Sequence, residues 1–493
     1  MELNTEQAIY SVRQECAALK DQSPHPSRPQ VPKLVAEQTW LRIHLLFDQL
    51  ISSAIIANSN EDMDIDPLAP MRSEALADLC VFVRNATAMD PQNQTMAMSA
   101  NVVDGVLATI RIMLRCEMTY AEAKQCSASA GQALSNLATN NYKLQAQLID
   151  SELTKSPIES IFWYLLSSFN SKTQMSGLML ILNTVKNSQQ FVEKVCLSEA
   201  GHMLMSRIGE MFGETVDDSD EKAMMYVILS VVIEHGYLSV LLTSDPELEM
   251  FGVLNALAVY CNENAQPSVY ARVLDTTLLN ALSKVLAKCH TLLQQVWQDS
   301  DTLESQNDDS DISMDSIMAA HRSLSSTASV LSSATTDMEP SFAARVLKSD
   351  IPKQIVALLG LFSKELPRIE KANQPSNTDE TSPIKKLFMF KCELIQIIGN
   401  IAYKNKAAQD MFRELDGLAL VLDHMRIDEN HPFIREYAVV ALRSLLNDNK
   451  ENQAYISSMD AQNIANDYDL NQAGIQASLQ SDGRVSINRN ANT

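Results

Sequence analysis

Asn400-Ile-Ala-Tyr-Lys-Asn405-Lys-Ala-Ala-Gln409 recurs without gaps as Asn136-Leu-Ala-Thr-Asn-Asn141-Tyr-Lys-Leu-Gln145 and as Ser444-Leu-Leu-Asn-Asp-Asn449-Lys-Glu-Asn-Gln453. Each window opens on a polar residue, places Asn five positions on and Gln nine positions on, and follows a small or apolar helical run (Ala133-Leu134, Ile397-Ile398, Ala441-Leu442). Windows 400 and 444 lie 44 residues apart, within the roughly 40–47-residue period of armadillo and HEAT repeats. A contracted, weaker copy is read at Asn183–Gln190.

Around window 400 the unit can be followed helix by helix. Leu387, Phe390, Leu394, Ile398 and Ile401 form one apolar stripe of a long helix that ends near Asn400. A polar turn follows, then a short helix from Gln409, a break at Asp416-Gly417, a helix over 418–425, and a loop at 428–432 before the next long helix. Three helices per unit, none able to bury its apolar face alone, predict stacking. The expected fold is therefore all-α, an armadillo/HEAT-like helical repeat solenoid with a concave groove.

Composition supports helix throughout. Only 13 of 493 residues are Gly, against a usual share of roughly 7%, while Leu, Ala, Met, Gln, Glu and Lys abound. Strand alternation is almost nowhere found. Expected helices include Trp40–Ile56, Val102–Leu114, Ile158–Phe169, Met224–Leu242 and Leu278–Val296. The domain reading is 1–297 as divergent N-terminal repeats, with linkers near 21–32, 58–71 and 89–99. Residues 298–340 form a disordered acidic insertion rich in Ser and Asp, whose second half, Ile312–Leu331, has only weak helical character. Residues 341–457 form a C-terminal armadillo-like domain with a linker at 367–384, and 458–493 a polar tail.

The net charge of −22 argues against nucleic-acid binding, which needs a dense basic surface, and against anionic membranes. No apolar run reaches the roughly 20 residues of a membrane-spanning helix, so no membrane insertion is expected. The eight cysteines (16, 80, 116, 126, 196, 261, 289, 392) form no C-x-x-C and read as buried, reduced thiols. The acidic N-terminus lacks the apolar core of a signal peptide, so a reducing, soluble compartment is expected, the cytosol or the nucleus.

The segments Lys391–Asp410 and Pro432–Gln453, each continuous with the repeat windows, closely resemble the C-terminal domain of the ataxin-10 family over about 385–457, and the divergent remainder looks like a fungal member. That resemblance implies an armadillo-like cytoplasmic protein linked to the regulation of cytokinesis, to protein-partner binding and, in animals, to neuronal survival. One yeast relative carries a copper-transport name, which supplies copper handling as the alternative reading.

Copper needs clustered soft ligands, whereas Met203-Leu-Met205 and Met224-Met225 fall in apolar helices without a thiol pair. Met96-Ala-Met98 has no such pair either. Asp62-Met-Asp64-Ile-Asp66 imitates a calcium loop but puts Pro67 where Gly is required and Ser73 where Glu is required. No hydrolase, zinc-protease or P-loop motif is present, so a non-enzymatic chain without a cofactor is expected.

In nuclear-import adaptors, which share the armadillo architecture, groove Asn residues clamp the peptide backbone and a Trp four positions earlier stacks on cationic side chains. Here Asn136 and Asn400 match the Asn, but Gln132 and Gln396 stand where Trp would, and Ser444 follows Val440; Trp40, Trp163 and Trp297 lie elsewhere. Import-signal binding is not expected. Asn136, Asn400, Arg435 and Arg443 are the candidate partner-binding residues, with bonding of either Asn to the neighbouring turn as the bland alternative. Ser23, Ser300, Ser305, Ser310 and Ser382 are candidate phosphosites on flexible segments. The partners expected are other proteins, and homo-oligomerisation is left open.

Overall fold

The computed structural model describes residues 2–21, 34–58, 68–116, 121–156, 159–186, 188–215, 218–243, 250–303, 311–368, 387–426, 428–431, 433–459, 475–480 and 485–489. They divide into two compact units, 1–241 and 242–493. The seam falls well ahead of the boundary expected at 297/298.

In the first unit α1 (Glu2–Asp21), α2 (Glu37–Asn58) and α3 (Ala69–Thr87) lead into three-helix repeats. These are α4 (Pro91–Ser99), α5 (Val102–Cys116) and α6 (Ala121–Ala138), then α7 (Tyr142–Glu152), α8 (Ile161–Ser167) and α9 (Ser171–Val185), then α10 (Gln189–Leu197), α11 (Glu199–Glu214) and α12 (Asp220–Glu234). The third helices α3, α6, α9 and α12 stack in sequence, as do the second helices α2, α5 and α8, and α1 lies against α3. The stretch Met224–Leu242 is not one helix: Gly236, at φ +79, ends α12, and α13 (Leu238–Thr243) starts anew across the seam.

The second unit continues with α14 (Phe251–Glu263), α15 (Pro267–Val273), α16 (Thr276–Leu303), α17 (Asp311–Thr335), α18 (Pro340–Lys348) and α19 (Ile351–Glu365). It goes on with α20 (Phe390–Ala402), α21 (Lys406–Glu414), α22 (Gly417–Asp423), α23 (Ile434–Leu446) and α24 (Lys450–Ser457). Here α14, α17, α20 and α23 form the stack of third helices, and α16, α19 and α22 the stack of second helices. The fold is all-α and armadillo-like. Its stripes bury Ile395, Ile398, Ile401, Ala438, Ala441 and Leu445 completely or nearly so, each large aliphatic side chain stabilising the stack by roughly 1.5–3 kcal/mol.

The repeat window is a hinge with a fixed geometry. Met89, Asn140, Lys404 and Asp448 all adopt the left-handed conformation, at φ 55, 55, 52 and 55, one residue before the N-cap of the next short helix. The caps are Asp90, Asn141, Asn405 and Asn449, whose side chains accept from the N–H three residues on. Those N–H groups would otherwise be orphaned at the helix start. Asp416, at φ 62, makes the second break of its repeat, between α21 and α22.

Three expectations are corrected. The described part of 298–340 is not disordered: α16 runs to Leu303 and α17 occupies Asp311–Thr335, burying Ile317, Ala320, Leu324, Ala328, Leu331 and Ala334, while 304–310 lie outside the described residues. Its many Ser and Ala residues lower the hydrophobicity yet let neighbouring helices approach, and His321 packs edge-on to Phe390 at 5.4 Å. The linker placed at 89–99 is mostly helix α4, with Pro91 at the first turn, where its missing N–H costs nothing. The tail 458–493 contains an antiparallel pair, β1 (Ile475–Leu479) and β2 (Val485–Arg489), in register Ala477 to Ile487. The linkers near 21–32, 58–71 and 367–384 fall largely outside the described residues.

Candidate functional site

The third helices end in a ladder of amide side chains. Counting on from the first residue of each window, the Gln nine residues on donates back to the carbonyl two residues on, at the end of the third helix of the preceding repeat. Gln145 Nε2 thus reaches Ala138 O at 2.8 Å, and Gln409 Nε2 reaches Ala402 O at 3.2 Å. The same Nε2 also donates forward to the end of the next third helix, Gln145 to Asn183 O at 2.9 Å, and Gln409 to Ser444 O at 2.9 Å and Asn447 O at 3.2 Å. A fourth copy escaped the sequence reading: Asn85, Asp90 and Gln94 keep the spacing, and Gln94 Nε2 donates to Thr87 O, Asn136 O and Thr139 O. Asp at the cap position hid it. The copy at Asn183 is not contracted, since Ser188 caps α10 five residues on, as in the other windows.

The Asn at the first position points back. Asn136 Nδ2 donates to Arg84 O at 2.8 Å, and Asn400 Nδ2 to Ser332 O at 3.4 Å and Thr335 Oγ1 at 3.3 Å. Each side chain therefore fastens its helix to the one before it. Asn183 Nδ2 does the same, to Ser135 Oγ at 3.1 Å and Thr139 Oγ1 at 3.0 Å.

Above that fastening, α17, α20 and α23 enclose a groove of about 140 Å³, open along one side. Gln396, Gly399 and Asn400 form its floor with Ala441 and Ser444; Tyr403, Tyr437 and Val440 form its rims. The rims are exposed apolar groups: Val440 is 65% exposed, Tyr403 58% and Tyr437 39%. The floor is narrow because Gly399 meets Ala441 closely; a Cβ on Gly399 would stand 2.9 Å from Ala441 Cα. No lining residue carries a formal charge.

Of the candidate residues, Asn400 lines this groove. Arg435 and Arg443 are exposed on α23 but are not among its lining residues, and Asn136 holds the equivalent position in the first unit. Of the residues four before the Asn, Gln396 lines the groove and Gln132 accepts from Arg84 Nη1 at 2.8 Å. Tyr403 and Tyr437 had no signal beyond being aromatic residues near a helix end. Ser23, Ser305, Ser310 and Ser382 lie outside the described residues, and Ser300 falls in the last turns of α16, where no side chain is described.

Buried chemistry elsewhere is structural. Seven cysteines, all but Cys116, are described as free and buried. Burial pushes the Cys16, Cys196, Cys261, Cys289 and Cys392 thiols up to about 12, which disfavours the thiolate needed for metal binding or nucleophilic attack. Among the described residues no three His, Cys, Asp or Glu side chains are grouped to hold a metal ion. Met205 and Met225 are buried in α11 and α12 as packing residues. Lys391, almost wholly buried, donates Nζ to Leu366 O at the end of α19, and burial lowers its pKa. No single described helix is long and apolar enough to cross a membrane.

Residues 390–488 match the family model described as the spinocerebellar ataxia type 10 protein domain. The chain carries an ataxin-10 domain. That domain comprises α20 to α24 and nearly all of the β-hairpin, so it extends beyond the resemblance at about 385–457. An ataxin-10 homolog of Dictyostelium discoideum is 43% identical over 96 residues, 20% of this chain and 16% of the relative. Ataxin-10 of Xenopus tropicalis is 44% identical over 96 residues, 20% of each. The Saccharomyces cerevisiae homolog is 33% identical over 169 residues, 29% of this chain and 30% of the relative. The chain thus matches less than a third of the length of these relatives. Among solved structures, an engineered protein aligns over 90% of this chain and 98% of its own at TM-score 0.31 and 12% identity. SYS-1 aligns over 88% and 75% at TM-score 0.30 and 11% identity.

Proposed function

We propose that this chain is a non-enzymatic, cytoplasmic scaffold that docks an extended segment of a partner protein in the groove between α17, α20 and α23. The observation that carries this reading is the groove's composition: exposed aromatic and aliphatic rims over a floor of amides and hydroxyls. Among the described residues no donor reaches Asn400 Oδ1, which leaves that oxygen to accept from a backbone N–H of a bound peptide. Aromatic rims contribute contact area at small entropic cost, which is why such residues concentrate at binding hot spots. A lining without carboxylates favours neutral or apolar peptide side chains over strings of Lys and Arg. The ataxin-10 domain supports, by family, a role in the regulation of cytokinesis.

Two arms test this. In affinity capture from dividing cells, Val440→Asp or Tyr437→Ser should deplete a defined subset of partners at unchanged melting temperature, with Arg435→Ala/Arg443→Ala depleting fewer. An unchanged partner set would refute the groove. For the cellular role, deletion of 390–488 should raise the fraction of binucleate cells, and normal division would remove the cytokinesis assignment.

A further inference from the structure

The ladder of the first unit holds a positive charge that no acidic group among the described residues balances. Arg84, near the C-terminus of α3, is partly buried where α3 faces α6. Its Nε donates to Asn85 Oδ1 at 3.0 Å and its Nη1 to Gln132 Oε1 at 2.8 Å, while its carbonyl accepts from Asn136 Nδ2 at 2.8 Å. All of these partners are neutral. Other arginines of this unit are matched by acids, Arg42 by Glu15 at 2.5 Å and Arg111 by Glu152 at 2.7 Å. Arg84 has no such pair in a chain with 61 Asp and Glu against 39 Lys and Arg. Burial accordingly lowers its pKa with no acid to offset the effect.

Removing a cation from water without a counter-ion costs stability, and that cost is recovered when an anion arrives. The guanidinium is also pre-oriented. Asn85 holds Nε and Gln132 holds Nη1, which leaves Nη2 without a protein acceptor. A planar fork held on one side and open on the other fits a carboxylate better than a point charge would. Its surroundings suit an extended chain: Gln132 and Asn136 hold the ladder positions that Gln396 and Asn400 hold in the lining of the second-unit groove, and Asn85 is the first residue of the preceding window.

We infer that Arg84 forms a second docking site, which takes an Asp or Glu side chain of an extended partner segment lying along Asn85, Gln132 and Asn136. The site rests on the reading of the ladder face as a docking surface, but uses other residues, in the other unit, than the Tyr403–Val440 groove.

The test uses the full chain, immobilised, and four labelled decapeptide pools with degenerate flanks and a fixed central Glu, Gln, phosphoserine or Lys. The Glu pool should be retained about tenfold more than the Gln pool, the scale of one charge-assisted hydrogen-bond pair. Arg84→Gln should abolish that preference at a melting temperature within a few degrees of wild type. Arg84→Lys, which keeps the charge and loses the fork, should keep a reduced preference and serves where the Gln variant does not fold. Equal retention of Glu and Gln pools, or a preference that survives Arg84→Gln, overturns the site. Stronger retention of the phosphoserine pool overturns the carboxylate assignment. Tyr437→Ser separates the two readings. Pools lost in that variant, with no acid preference at Arg84, leave the second-unit groove standing and this site refuted; retention of no pool at all refutes both.

Discussion

Gln409 and Ser444 lie 35 residues apart, and the Gln409 Nε2 donates to the Ser444 carbonyl at 2.9 Å while also reaching Ala402 O and Asn447 O. One amide thus closes the end of the long helix before it and seizes the end of the next. The carbonyls at a helix C-terminus have no partner within the helix. Here Gln409, a staple on the short helix α21 between them, supplies one to the ends of both α20 and α23.

Gln409→Leu should therefore destabilise by about 1–3 kcal/mol, since several buried carbonyls lose a donor together. Gln453→Leu should cost far less, because Gln453 Nε2 reaches only Leu446 O and is exposed. Denaturant unfolding of the two variants beside wild type checks the difference.

The caps predict an order. Asn141→Ala removes the capping bond from Leu144 N and a weak donation to the Met98 thioether at 3.1 Å, and should cost about 1 kcal/mol. Asn449→Ala should cost more, because Asn449 also donates to Gln409 Oε1 at 3.1 Å and Asp410 Oδ1 at 3.0 Å. Equal losses in thermal unfolding would contradict the staple.

Close packing of third helices is tested at two glycines. Gly399→Ala forces a methyl to 2.9 Å from Ala441 Cα and should destabilise by about 1–3 kcal/mol. Gly360, inside α19, would meet only Leu420 at 3.7 Å, so Gly360→Ala should be neutral or stabilise by up to about 1 kcal/mol through helix propensity. Opposite signs in melting temperature are expected.

Burial raises the Glu393 carboxyl to about 7, and its Oε2 has no hydrogen-bond partner. Between the ordinary value of 4.5 and about 7 the folded protein holds a proton that the unfolded chain releases. Stability contributed by this group is thus full below 4.5 and is lost as pH rises through 7. Glu393→Gln should raise the melting temperature at pH 8 and leave it unchanged near pH 4. A gain that is the same at both pH values would contradict the burial of this carboxyl.

The repeat was legible because its marks are local. Asn405 and Gln409 act within one turn and one helix, so their spacing survives in the sequence as a fixed window. Helix α17 was less legible: its stability comes from Ser and Ala faces that fit Phe390 and the neighbouring third helices, and composition alone undervalues small residues. The window of Asn400 put it near the end of a long helix, where the structure has it. Its fastening to Thr335, 65 residues away, left no trace in local pattern, nor did the closing of the groove by Tyr403 and Tyr437.

Val439 and Val440 are adjacent on α23 and both exposed, at 45% and 65%, but only Val440 lines the groove. A photo-crosslinking residue placed at each in turn, in dividing cells, tests the docking face most directly. Discrete protein adducts from position 440 and none from 439 are expected. Adducts from 439 alone, or equally from both, would contradict the assignment of partner binding to the ladder face.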